Sequence, residues 1–181
     1  VVTPGYPLAP ECSLPDIVAH ARRALDWTTT QSPVAGLPWV GSGHSAGGHL
    51  AEMCVLGAAH GSALRGSIPI SGLFDLRPLR HTNVQTELGM SEAVAGEMSP
   101  SAAPPEPGVP RLVVVGGAET EGFLTQSQDY ARHLRAGGGD AEYLAPAGLN
   151  HFTILEALIE PGHELHQRVR SALVKWLEAS T

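Results

Sequence analysis

Apolar positions recur at helical spacing early in the chain. Ile17, Val18, Ala21, Ala24 and Leu25 share one face, with Arg22, Arg23 and Asp26 on the other. Ser13 stands before them as an N-cap, with Asp16 at the third helical position, and the helix is expected to end near Trp27 or Thr28. Ahead of it, Val1-Val2-Thr3 read as the tail of a strand, closed by the turn-rich Pro4-Gly5-Tyr6-Pro7-Leu8-Ala9-Pro10. Behind it, a loop of Thr, Ser and Gly leads to Leu37-Pro38-Trp39-Val40, an apolar run expected as a buried strand. Gly41-Ser42-Gly43-His44-Ser45-Ala46-Gly47-Gly48-His49 comes next, then an apolar helix through Leu50, Met53, Cys54 and Leu56.

Ser67-Ile68-Pro69-Ile70 is a further strand, ended by Ser71-Gly72. Residues 73–110 are the least regular, with a helix expected around Ser91 to Glu97 and prolines at 104, 105, 107 and 110. This stretch reads as a connection or a small cap. Leu112-Val113-Val114-Val115 is the clearest strand, ended by Gly116-Gly117. A helix with Phe123, Tyr130, Ala131 and Leu134 on its apolar side follows and stops at Gly137-Gly138-Gly139. Glu142-Tyr143-Leu144-Ala145 is the last strand, before Gly148-Leu149-Asn150-His151. Pro161 is expected to open the final helix, whose Leu165, Val169, Leu173, Trp176 and Leu177 face the core. Strands alternate with helices and no repeat is evident, so the expected class is α/β, a mostly parallel sheet with helices on both faces.

Length and composition narrow the function. The 181 residues fit a single domain, 1–181, and 43% hydrophobic against 16% charged residues suits a packed core. A net charge of −7 with 11 Lys+Arg offers no basic stripe for nucleic acid. No apolar run approaches the roughly 20 residues of a membrane span. Cys12 and Cys54 are far apart and neither sits in a CxxC, which argues against a disulfide framework or a zinc site and for a reducing, cytoplasmic setting.

The chemistry sits where a strand meets a helix. Gly43-His44-Ser45-Ala46-Gly47 matches G-x-S-x-G in the context a nucleophile elbow needs. Glycines permit the sharp turn, Ser45 is held at the strand's C-terminal end, and the Ala46 N–H faces the developing oxyanion at a helix start. The plainer reading is a glycine-rich turn without chemistry. On this fold the acid follows the nucleophile and the histidine comes last. His151, after the last strand, is the expected base. His44 and His49 are spaced wrongly for a metal pair on one helix face and are assigned to pocket lining or packing. His20, His60, His81, His133, His163 and His166 are expected to be solvated. The acid should follow Leu112–Val115, which offers Glu119 or Glu121. Glu119 comes sooner, while Glu121 suits the first turn of the next helix. Asp75 is the rival, with a helix or turn cap as its alternative role.

These residues resemble a known family. Gly43 to Leu50 is similar to the elbow of kynurenine formamidase-like (arylformamidase-like) α/β-hydrolases. Tyr6-Pro7-Leu8-Ala9-Pro10 resembles a Y-x-L-A-P segment they share with hormone-sensitive-lipase-type esterases. Ser71-Gly72-Leu73-Phe74-Asp75-Leu76, Ser99-Pro100, Gly117 to Phe123 with Gln126-Ser127, and Asn150-His151-Phe152 resemble later landmarks in order. Esterases of the lipase type more often carry Asp where this elbow has His44. The resemblance implies an α/β-hydrolase fold with Ser45, Glu119 and His151 as triad, although several members carry Asp at the acid position. It implies N-formyl-L-kynurenine as substrate, formate and kynurenine as products (a step of tryptophan catabolism), and no cofactor or metal. His44 and Phe152 are candidates for the substrate pocket. Arg77 and Arg80 are candidates for the substrate's amino-acid end by charge alone, with solvated surface as the alternative.

One family feature is missing. A His-Gly-Gly motif after an earlier strand supplies further oxyanion donors in that family, and this sequence has none. The family fold places that earlier strand between the one ending at Thr3 and the one ending at Gly41. The N-terminal strands are therefore expected to be incomplete, with a fragment, an upstream segment or a second chain accounting for the gap. Such a chain alone is expected to be weak or inactive. A short-chain carboxylesterase on the same triad, and a non-catalytic remnant that binds a ligand or partner, remain the alternatives. The expected partner is a small-molecule substrate, with no nucleic acid and no membrane. A homo-oligomer is compatible with the sequence, which does not fix it.

Overall fold

A computed structural model describes residues 1–57, 63–105 and 108–178. His60 and Pro107, both named above, lie outside the described residues. Four parallel strands form one sheet in the order β1 (Trp39–His44), β2 (Leu64–Ile70), β3 (Arg111–Val114), β4 (Ala141–Leu144). The helices are α1 (Leu14–Thr30), α2 (Ala46–Gly57), α3 (Val84–Leu88), α4 (Glu92–Glu97), α5 (Glu121–Ala136), α6 (Thr153–Ile159) and α7 (Glu164–Glu178).

Local chemistry sets most of these boundaries. The Ser13 Oγ accepts from the Asp16 N–H at 3.3 Å, as the N-cap reading requires, and α1 runs on to Thr30. Ser91 caps α4 in the same way through the Val94 N–H. The last helix starts at Glu164 rather than at Pro161. His163 supplies the cap, its Nδ1 accepting from the Leu165 N–H at 3.1 Å. The short α6, absent from the sequence pattern, is started by Asn150, whose Oδ1 accepts from the Phe152 and Thr153 N–H groups. The Thr153 Oγ1 accepts from the Asn150 N–H in return, a reciprocal cap.

Two expectations at the front of the chain are corrected. Val1-Val2-Thr3 form no strand and are exposed. The apolar run ahead of the elbow is not a buried strand. Leu37 is exposed, and β1 is a half-buried edge with β2 as its one described neighbour. Among the histidines expected to be solvated, His20 and His81 are exposed. His133 and His166 are instead half-buried and hydrogen-bonded to the Ala103 and Leu158 carbonyls, and His163 is the half-buried cap.

Helices cover both sheet faces. On one, Ile68, Ile70, Leu112 and Val114 pack against Ile154 and Ala157 of α6 and Leu165 and Trp176 of α7. A Cβ on Gly66 would lie 2.4 Å from the Trp176 ring, so the bare glycine is what lets the indole rest on β2. On the other face, Val113 and Ala141 pack with Tyr130, Ala131 and Leu134 of α5. Nearby, Leu64 meets Val55 of α2. Residues 73–105 do not stand apart. Leu76, Met90, Ala95 and Met98 join Leu14, Ile17, Val18, Leu50 and Met53 in one apolar cluster over α1 and α2.

Two buried charges of opposite sign meet beneath the sheet. Glu52 of α2 is fully buried and accepts from Ser67 of β2 and, at 2.6 Å, from the Tyr130 hydroxyl of α5. The Arg111 guanidinium of β3 lies 3.6 Å from the same carboxylate. Four elements thus meet on one carboxylate, and removing any partner would leave an uncompensated buried group. Among the described residues no helix is long and apolar enough to cross a membrane.

Two outcomes follow from this packing. Gly66→Ala is expected to lower the unfolding free energy by about 1–3 kcal/mol, because Trp176 must move or the strand must bend; urea unfolding followed by tryptophan fluorescence measures it. His49 is buried, and its Nε2 bonds the Met98 carbonyl at 2.7 Å. Burial holds this imidazole below the ordinary histidine value of 6.5, against the opposing pull of that carbonyl. As pH falls the unfolded chain takes up the proton first. The stability is therefore complete above about 6.5 and declines below it, by up to about 1.4 kcal/mol per pH unit. Unfolding free energies across that range should show the decline, and His49→Gln, which cannot titrate, should make it shallower.

Candidate active site

The C-terminal ends of the strands converge on one small region. The N–H of Ser45 bonds the Ile70 carbonyl at 2.9 Å, that of Ser71 bonds Val114 at 2.7 Å, and that of Val115 bonds Leu144 at 3.0 Å. Each residue just past a strand end is thereby tied to its neighbouring strand. Ser45 has φ 57°, a left-handed backbone unusual for a residue with a side chain. Such a conformation costs about 1–3 kcal/mol and persists only where the surroundings enforce it.

The enforcement is steric and local. A Cβ on Gly43 would sit 2.2 Å from the Gly47 carbonyl oxygen, and one on Gly48 would sit 2.9 Å from Gly72 Cα. These contacts draw α2 tightly onto the ends of β1 and β2. A Cβ on Gly47 would meet nothing within 4 Å, so of the elbow glycines it is Gly43 and Gly48 that the packing demands. The Ala46 N–H opens α2, one of the first-turn donors that have no partner within a helix.

Ser45, His151 and Glu119 lie in one hydrogen-bonded line. The His151 Nε2 is 3.1 Å from the Ser45 Oγ, and its Nδ1 is 2.7 Å from the Glu119 Oε2. The Glu119 side chain is fully buried, while His151 keeps 23% of its side-chain surface exposed. Two loops hold Glu119 to His151. The Gly117 and Ala118 N–H groups bond the Pro146 and Leu149 carbonyls, both at 2.8 Å. A Cβ on Gly116 would strike the Leu149 oxygen at 2.4 Å. The other Glu119 oxygen, Oε1, accepts from the Gly116 N–H at 2.8 Å and the Ser71 hydroxyl at 2.5 Å.

The rival acids stand elsewhere. Asp75 is occupied by Arg77, which donates through Nε and Nη2 at 2.8 and 2.7 Å and through its backbone N–H at 3.0 Å. The Arg77 side chain beside it holds this carboxyl below the usual carboxylate range. Glu121 sits in the first turn of α5. Arg80 donates to the Met90 carbonyl and faces Glu92 at 3.5 Å, so both candidate arginines are engaged with their own segment.

Three aromatic rings surround the imidazole. His44 lies 4.5 Å from the His151 ring centroid, Phe123 4.6 Å, and Phe152 5.6 Å with its edge turned to it. Phe152 is 75% exposed, so one wall of the site is an apolar ring open to solvent. Burial, and then the neighbouring His151, hold His44 below the ordinary histidine range, against the opposing effects of the His151 backbone and the Glu119 carboxylate. His49, the other histidine of the elbow, packs against Met98 and takes no part. Ser71, Phe123 and Asn150, quoted from the sequence only as parts of elements and family landmarks, stand beside the site. For Asn150 the signal was there, since Asn-x-x-Thr is a reciprocal cap that fixes where His151 leaves the loop. Among the described residues no group of three or more His, Cys, Asp and Glu side chains is placed to hold a metal ion.

Comparison with known proteins agrees with the fold. The kynurenine formamidase of Salmo salar is 32% identical over 179 residues, and that of Danio rerio is 31% identical over 176. These alignments cover 92% and 91% of this chain, which spans 60% and 59% of the length of those curated relatives. The crystal structure of a candidate thioesterase from Silicibacter sp. TM1040 superimposes with a TM-score of 0.73 at 32% identity, covering 97% of this chain and 63% of that one. Residues 1–155 match the family described as alpha/beta hydrolase fold. With the parallel sheet, the strand–turn–helix around Ser45 and this match in agreement, the chain belongs to the α/β-hydrolase fold family.

Proposed function

We propose that this chain carries the nucleophile, base and acid of a serine hydrolase that removes a small acyl group from an aryl amide, with N-formyl-L-kynurenine as substrate. The observation that carries the reading is the line Ser45–His151–Glu119, with contacts of 3.1 and 2.7 Å at the strand ends of this fold. Similarity to two enzymes named kynurenine formamidase supports the choice of acyl group and leaving group.

The chemistry follows from the geometry. His151 accepts the Ser45 proton at Nε2 as the Ser45 Oγ attacks the formyl carbon. Glu119 holds the imidazole through Nδ1 and stabilises the imidazolium that forms. The Ala46 N–H donates to the tetrahedral oxyanion. His151 then gives its proton to the departing nitrogen, and water, deprotonated by the same imidazole, releases formate from Ser45. An aryl amine is less basic than an alkyl amine and leaves more readily, which suits an esterase-like site to this amide. His44 and the exposed Phe152 flank His151 and offer rings against which an aromatic leaving group can lie. The seven-residue α6 behind Phe152 sets where that ring stands.

A second reading, hydrolysis of short-chain esters or thioesters on the same three side chains, is favoured by the likeness to the candidate thioesterase. One assay separates the two. Release of aryl amine from N-formylkynurenine is compared with turnover of p-nitrophenyl acetate, each beside Ser45→Ala. The formamidase reading expects the amide to be turned over, with kcat falling on the order of 10⁴-fold or more in the variant. Ester turnover alone would replace it with the second reading, and amide turnover that survives Ser45→Ala would sink the serine mechanism.

A further inference from the structure

We infer that Ser71 is a positioning residue for Glu119, its hydroxyl pinning one carboxylate oxygen so that the other stays on His151. The inference rests on the serine-hydrolase reading above. Ser71 follows β2, is fully buried, and has φ 48°. A residue with a Cβ is disfavoured there, whereas glycine would adopt that backbone freely. The hydroxyl gives a reason for serine. It donates to the Glu119 Oε1 at 2.5 Å, within the range of a charge-assisted O–H···O⁻ bond.

Glutamate needs this more than aspartate would. Its side chain has one more rotatable torsion than aspartate's before the broad terminal one, so a single contact at Oε2 would leave the carboxylate freer to move. The Ser71 hydroxyl and the Gly116 N–H meet Oε1 from separate segments, one after β2 and one after β3. Together they fix the carboxylate plane. Ser71 touches neither His151 nor Ser45 by hydrogen bond and acts through Glu119. Its backbone N–H, bonded to Val114, holds the hydroxyl in place.

The test uses the whole chain, labelled with ¹⁵N-histidine, and reads the His151 Nδ1 proton bonded to Glu119, a far-downfield NMR signal assigned by its loss in Glu119→Gln. Ser71→Ala removes the hydroxyl and keeps the backbone strain. Ser71→Gly removes both, and so remains informative if the alanine variant folds poorly. The expected result is that both variants lose or broaden the signal while the amide spectrum stays folded. Turnover of p-nitrophenyl acetate should drop about 10- to 100-fold in kcat with KM nearly unchanged. A Ser71→Gly variant with the wild-type signal would overturn the inference, because serine would then be only a turn residue. A wild-type chain without the signal would overturn it too. Ser45→Ala separates this inference from the reading it rests on. Turnover that persists in Ser45→Ala refutes the serine mechanism, whereas the His151–Glu119 signal does not involve Ser45 and judges the role of Ser71 alone.

Discussion

Close backbone packing at the end of β1 is the constraint on which the rest of this structure depends. Gly43 meets the carbonyl of Gly47, and Gly48 meets Gly72, at distances that admit no side chain. α2 therefore begins directly on the strand ends, and Ser45 is left at the apex in a left-handed conformation. Two adjacent strands finish in the same way, β1 at Ser45 and β2 at Ser71, both serines with positive φ. Strain that would be costly in an isolated turn is tolerated because helix packing and strand hydrogen bonds both hold it. The hydroxyls it presents face the two ends of the His151–Glu119 pair.

Two carboxylates are buried beside this packing, and their surroundings differ. Glu52 faces a cation and two hydroxyls and ties α2, β2, β3 and α5 together. Glu119 faces no guanidinium in its first contacts. It has a hydroxyl, a backbone N–H and an imidazole. A carboxylate whose nearest cation would be a transiently protonated histidine is suited to the proposed proton transfer, while one matched to a permanent cation is suited to holding elements together. The two occupy opposite ends of the same sheet. β3 supplies Arg111 at its start and leads to Glu119 past its finish, so one strand fixes both.

The chain spans about three fifths of the kynurenine formamidases it is similar to. Its described sheet presents β1 as an edge, and the elbow lies at the end of that edge strand. The three proposed catalytic side chains nevertheless meet, because Ser45, Glu119 and His151 follow β1, β3 and β4 of one described sheet. The Ala46 N–H is the proposed oxyanion donor. How strongly the proposed chemistry runs depends on what else faces that N–H, since each such donor is worth roughly 10²–10³ in rate.

Much of this was legible in the sequence, for a physical reason. Periodicity and turn chemistry are local, so the strands 67–70 and 112–115, the capped helix after Ser13 and the strand–turn–helix around Ser45 could be read directly. The order of nucleophile, acid and base expected on this fold, set against the strand ends, led to Ser45 and His151 and favoured Glu119 over Asp75 for the proposed triad. Where reading failed, the deciding interaction was non-local. Leu37 to Val40 is apolar enough for a buried strand, but position in the sheet made it an edge. Val1 to Thr3 has strand composition and no described partner. Nothing in the local pattern joins Arg111 to Glu52, and only tertiary packing brings them together. Glu119 could not be separated from Asp75 by spacing alone; folding placed Arg77 on one and His151 on the other. The sequence determined which residues stand at the strand ends, and only the tertiary structure decided what each meets there, because hydrogen bonds between loops far apart in the chain leave no periodic trace.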